Sequence, residues 1–295
     1  MASLLTARNL MGIVREINLE KLKKEAEQPL RLVVTGDVEL ARKLALKLGS
    51  APTVSVLHDA ADERAGDIRL QVTKRAASIE GIFEVRLELT HQGVSKRLEL
   101  SNLDSSELAP FLLDSVPDEL KLALARQVPL VRESYARSLI DQTSASNAVV
   151  AASAGLAGAV PVLSIPIGLA DIVVLTKNQL VMAYKLALAE GKSGKPTDIM
   201  GEIVSVLGGG LLFREAARKL VGLVPVFGFV PKIAVAYGGT YAIGQVVHVW
   251  AAEGKTASAD EFKRFYAVAR EKGEAWAKRF RREQKDADET KEIEE

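Results

Sequence analysis

Residues 142–170 read QTSASNAVVAASAGLAGAVPVLSIPIGLA, a run without one charged side chain in which Ser153 and Ser164 are the only polar ones after Asn147. A second uncharged run, Ile233–Ala252, follows later in the chain. Segments this poor in ionisable groups have to be withdrawn from water, either into a bilayer or into a helical core that is apolar all round. A spanning helix needs about 20 predominantly apolar residues, and each central Leu, Ile, Val or Phe contributes roughly −0.3 to −0.6 kcal/mol to insertion. Ala148–Ala170 passes on length, but its nine strong apolar residues sum to only about −4 kcal/mol, and Pro161 and Pro166 interrupt it. Ile233–Ala252 has six, for about −3 kcal/mol, set against Gln245, His248 and three glycines.

Two features favour the bilayer. Ala151 with Gly155, and Ala154 with Gly158, give the small-xxx-small spacing of close helix pairs in lipid, although the same spacing serves a tightly packed bundle. Lys192, Lys195, Arg214, Arg218, Lys219, Lys232 and Lys255 gather in the connecting segments. We therefore expect membrane-associated, transmembrane helices, with a buried helical core as the alternative.

Between the two runs, Asp171–Glu190 reads as an amphipathic helix, and Gly191-Lys192-Ser193-Gly194-Lys195-Pro196 as a basic connector. Ile203–Phe213 is broken by Gly208-Gly209-Gly210, and Leu220–Pro231 is a broken helix or a tight hairpin. Tyr237, Tyr241, Gln245 and His248 follow one another at spacings of 4, 4 and 3 and share a helical face, as do Asp171 and Asn178 seven residues apart. A polar stripe on an apolar helix demands partners. It lines a pocket, or it forms an internal hydrogen-bond network that fixes helix register; we expect the network. Trp250 and Tyr241 are alternatively interfacial anchors.

Towards the N-terminus the pattern changes. Leu10, Ile13, Val14 and Ile17 recur at helical spacing, and we read residues 1–29 as amphipathic helix, with no secretory signal in Met1–Ala7. Leu32-Val33-Val34, Gly36 and Val38–Leu48 read as strand, turn and helix stopped at Gly49. Thr53–Leu57 and Ile68–Val72 are further strands of a small parallel or mixed sheet. Phe83, Val85, Leu87 and Leu89 alternate with Glu84, Arg86, Glu88 and Thr90, then a His91-Gln92-Gly93 turn leads to a return strand over Val94–Leu100. That is a hairpin with one wet face.

Beyond Ser101 only helix is expected. Pro117 starts a long helix that Pro129 kinks or divides. Near the C-terminus Ser258 caps a helix presenting Phe262, Phe265, Tyr266, Ala269, Gly273, Trp276 and Phe280 on one face, and a charge-dense tail from Arg281 is expected to fray.

Composition removes several function classes. In 295 residues, 39 Lys and Arg balance 38 Asp and Glu, so there is no electrostatic footprint for nucleic acid. The absence of Cys excludes disulfides, thiolate nucleophiles and zinc–cysteine sites and fits a reducing, cytoplasm-facing setting. Three histidines, His58, His91 and His248, leave little for a metal centre. Gly36 sits where a phosphate loop begins, but Ala41, Arg42 and Lys43 then occupy the positions of the second glycine, the lysine and the hydroxyl. Asp37 and Glu39 would add negative charge beside an anion. Asp59, Asp62 and Glu63 read as a solvated loop, and there is neither a Gly-x-Ser-x-Gly elbow nor a His-Glu-x-x-His helix. We expect no catalysis, cofactor or metal.

Val160-Pro161-Val162-Leu163-Ser164-Ile165-Pro166 and Asp171–Gln179 with Met182, then Leu220–Pro225, Val230-Pro231-Lys232 and Ala236–Gln245, together resemble the helical domain of unknown function 697. The likeness covers roughly 120–252. The resemblance implies a GTPase-linked, membrane-proximal helical module, since that family occurs after Era-like GTPase domains and in bacterial inner-membrane proteins. It carries no nucleotide-binding residue onto this chain, because Gly36–Lys43 departs from a working phosphate loop and an Asn-Lys-x-Asp motif is missing.

The expected architecture is α+β: an amphipathic N-terminus over 1–29, a small α/β domain with a degenerate phosphate loop over 30–115 and its hairpin at 82–100, an apolar helical domain over 116–257, and an amphipathic helix with charged tail over 258–295. The expected function is a non-catalytic scaffold or adaptor at the bacterial inner membrane, with the bilayer and a protein partner or second copy as what it binds. The alternative is a soluble, cytoplasmic regulatory module or residual GTP or ATP binder.

Overall fold

The computed structural model describes residues 12–49, 53–56, 68–76, 83–156, 169–208 and 229–294. Over these the chain is mixed α/β, and it divides into two compact units. One comprises Glu20–Arg137 with Leu188–Gly191, the other Met1–Leu19, Ser138–Ala187 and Lys192–Glu295.

The first unit is built on a five-stranded sheet. After helix α1 (Leu19–Glu27) come β1 (Leu32–Gly36), α2 (Val38–Leu48), β2 (Val54–Val56), β3 (Ile68–Ala76), β4 (Phe83–His91) and β5 (Val94–Leu100). Their spatial order is β2-β1-β3-β4-β5. β1 runs parallel to both neighbours, while β3, β4 and β5 form an antiparallel meander, so of the parallel or mixed sheet expected the structure has the mixed one. Central β1 buries Leu32, Val33 and Val34, which is why it reads as an unbroken apolar run. β3 and β4 instead alternate: Leu70, Val72, Val85, Leu87 and Leu89 are buried, whereas Arg86 and Glu88 are part-exposed and pair across the hairpin with Glu99 and Arg97 at 2.7 and 3.0 Å. His91 opposite Val94 closes that hairpin. Gln92 and Gly93 between them have φ of +49° and +80°, the two positive angles of a turn whose twist matches the strands.

Helices α3 (Leu108–Ser115) and α4 (Asp118–Gln127) follow, then a 3-10 turn at Pro129–Val131 and α5 (Arg132–Leu156). Pro129, lacking an N–H, divides what would otherwise be one long helix.

The second unit holds the rest of α5 with α6 (Leu169–Ala189) up to Ala187, α7 (Pro196–Gly208), α8 (Phe229–Glu253) and α9 (Ala259–Glu294). Small residues draw its helices together: Ala148, Ala151 and Ala152 of α5 are buried, as are larger side chains such as Tyr184, Ile203 and Val247, and α8 runs antiparallel to α9. A Cβ on Gly273 would stand 2.5 Å from the Ala234 carbonyl oxygen, one on Gly238 3.0 Å from that of Ala269, and one on Gly244 2.7 Å from Ile140. Alanine and glycine are therefore used here for close approach between helices. Ser258 and Glu261 start α9 as a reciprocal cap: the Ser258 hydroxyl accepts from the Glu261 amide at 3.3 Å, and Glu261 accepts from the Ser258 amide at 2.8 Å. α9 runs to Glu294 and carries the i,i+4 pairs Arg270–Glu274 and Arg279–Glu283.

The expectation of transmembrane helices is corrected here. Among the described residues no helix is long and apolar enough to cross a membrane. The uncharged runs are rich in Ala and Gly, which add little to insertion, and the helices that contain them also carry Asp141, Asn147, Lys177, Asn178, Gln179, Thr240 and Gln245. The stretch with Pro161 and Pro166, and that from Gly209 to Gly228, lie outside the described residues.

Candidate functional site

The polar side chains of the helical unit converge on two clusters. In the first, Asn147 of α5 has no exposed surface. Its Nδ2 donates to Thr240 Oγ1 of α8 at 2.9 Å and to the Leu175 carbonyl of α6 at 3.3 Å, while its Oδ1 accepts from Asn178 Nδ2 at 2.9 Å. Gln179 Nε2 donates to the same Thr240 oxygen at 3.0 Å. Both amide protons and the carbonyl of Asn147 are thus engaged, and one residue ties three helices. One turn before it, the buried Ser144 hydroxyl folds back onto the Ile140 carbonyl at 2.7 Å.

The second cluster is ionic and aromatic. Asp141 of α5 accepts from Tyr237 Oη at 3.0 Å and from Lys272 Nζ of α9 at 2.9 and 3.2 Å. That ammonium also lies 4.6 Å from the centre of the Tyr241 ring. Tyr237 stacks on Tyr241 and on Trp276, with centroids 6.4 and 6.1 Å apart, and Trp276 stacks on Phe280 at 5.0 Å. Burial, then the neighbouring Asp141 charge, pushes the Tyr237 hydroxyl well above its usual value. Such a phenol holds its proton, and with the Asp141 carboxylate bonded to both the ammonium and the phenol, the cluster suits fastening α5, α8 and α9 together. In a spectrophotometric alkaline titration, Tyr237 and the likewise buried Tyr135 are expected to ionise above the ordinary tyrosine range. Because the folded value is raised, this contribution to stability is complete below pH ~10 and is lost as pH climbs towards the folded value.

Of the residues singled out in the sequence, Asn178, Tyr237 and Tyr241 enter these clusters. Gln245 and His248 are half-buried further along the same helix, with His248 Nδ1 shielded from water. Asp171 is in the first turn of α6, and its side chain lies outside the described ones. Sequence reasoning missed Asn147, Gln179, Thr240, Asp141 and Lys272. Two of them carried a usable signal: Thr240 shares the Tyr237–Tyr241 face at i+3, and Lys272 falls on the helical face defined by Phe265, Ala269 and Trp276.

The glycine turn is closed in a different way. Gly36, at φ +110°, is pressed so close to β3 that a Cβ would stand 2.0 Å from the Val72 carbonyl oxygen. The next amide, of Asp37, donates to that oxygen at 2.9 Å. The Asp37 carboxylate caps α2 by accepting from the Leu40 amide at 3.0 Å, and that bond, helped by Lys74, holds its carboxyl below the usual range. The helix N-terminus that a phosphate would need already carries an internal anion. Lys43, aligned with the hydroxyl position of a phosphate loop, is spent on Glu39 at 2.7 Å. Compared with known protein families, curated proteins and solved structures, the chain matches none.

Proposed function

We propose that the chain is a non-catalytic regulatory or adaptor module facing the cytoplasm, which acts by binding a protein partner and uses its helices as a rigid frame. The observation that carries this reading is the Asn147 cluster: three helices meet on amides and a hydroxyl with no titratable group among them, and the adjoining ionic cluster has its acid and phenol engaged with each other. Both arrangements favour fixed helix register over proton transfer.

The likeness of 120–252 to a GTPase-linked helical family makes a GTPase-linked pathway the proposed setting, with β1, Gly36 and α2 as a degenerate phosphate loop that no longer holds nucleotide. Titration of the full chain with labelled GTP and ATP in the presence of magnesium tests this. No saturable binding is expected. Saturable binding that is lost on Lys43→Ala would favour the residual nucleotide binder instead.

A further inference from the structure

We propose that β5 is a self-complementary edge through which two copies of this chain pair, antiparallel, about Leu98. Among the described residues β5 has β4 as its ladder partner on one side and ends the sheet on the other. From Val94 to Arg97 it is exposed at every position, and Val94 is 63 % exposed. Lys96 would ordinarily guard such an edge, but it is drawn aside to the Asp114 carbonyl at the end of α3.

The charges on the wet face decide the partner. Two rows cross the sheet: Thr73, Arg86 and Glu99 are neighbours in one, and Gln71, Glu88 and Arg97 in the other. The first row ends at the edge on a negative group, the second on a positive one. A second β5 running antiparallel, with Leu98 opposite its own copy, brings Glu99 against the other Arg97 and Arg97 against the other Glu99. The rows then continue across the junction as Arg86, Glu99, Arg97, Glu88, alternating in sign, with directly opposed side chains about 5 Å apart. Any neighbouring register of two or fewer residues breaks this match: pairing about Arg97 opposes two arginines, and pairing about Glu99 opposes two glutamates.

Four variants of the full chain test the proposal. Sedimentation over a wide concentration range is expected to show a monomer–dimer equilibrium. Arg97→Glu and Glu99→Arg, each alone, oppose like charges and weaken the dimer by about tenfold or more. Mixed together they restore it as a heterodimer, because both junction pairs are again of opposite sign. Since the chain has no Cys, Leu98→Cys introduces a single thiol, which at the two-fold position is expected to oxidise to a covalent dimer. Val94→Cys is not, its copy lying about 26 Å away at ~3.3 Å per residue. A chain that stays monomeric, a dimer indifferent to Arg97→Glu, or Leu98→Cys chains that do not cross-link would each overturn the proposal.

Discussion

Gly36→Ala is expected to unfold the β1–β3 pairing, at a cost of about 4 kcal/mol. Two penalties add at this position. The backbone sits at φ +110°, where an L side chain is strained, and the new methyl carbon would stand 2.0 Å from the Val72 carbonyl oxygen. That oxygen belongs to a central strand and accepts the Asp37 amide, so it has nowhere to retreat without breaking the ladder and the start of α2 together. Gly93→Ala provides the scale. It also has positive φ, at +80°, but meets no atom within 4 Å, so only the backbone strain of about 1 kcal/mol applies. Hydrogen exchange of the β1 and β3 amides measures both. If Gly36 served a phosphate and not this close approach, the substitution would leave amide protection intact.

Asn147→Ala is expected to destabilise the helical unit by about 3 kcal/mol. The substitution removes the donor to Thr240 and to the Leu175 carbonyl and the acceptor of Asn178, in a place with no solvent-exposed surface to supply replacements. Asn178→Ala should cost less, about 1 kcal/mol, because Asn178 is only half-buried and its loss leaves both donors of Asn147 in use. Trp250 and Trp276 both lie in this unit, so tryptophan fluorescence reports its unfolding separately from that of the sheet.

The sheet was legible because its signals are local. Alternation in 83–90, a turn centred on Gln92-Gly93, read as His91-Gln92-Gly93 before His91 proved to be the last residue of β4, and an apolar run ending at Gly36 each follow from backbone geometry over a few residues. The helical unit was legible in part. Helical spacing found Tyr237 and Tyr241 as a face in need of partners, but the partners come from other helices, and spacing within one helix carries no information about those. Asn147 escaped notice because it stands inside a run judged by its lack of charge, where an amide counts the same as an alanine. The membrane expectation failed for the same reason. Absence of charge was read as affinity for lipid, whereas alanine and glycine gain little from lipid and much from close approach to another helix, as Gly238, Gly244 and Gly273 do.

The measurement closest to the centre of this account is a double-mutant cycle on Asn147→Ala and Thr240→Val in the full chain, read by denaturant unfolding through the two tryptophans. If the amides and hydroxyl lock α5, α6 and α8 as one unit, the two losses overlap, and the coupling between them is about 1 kcal/mol or more. Losses that simply add, to within roughly 0.5 kcal/mol, would contradict the lock and with it the rigid frame on which the proposed function rests.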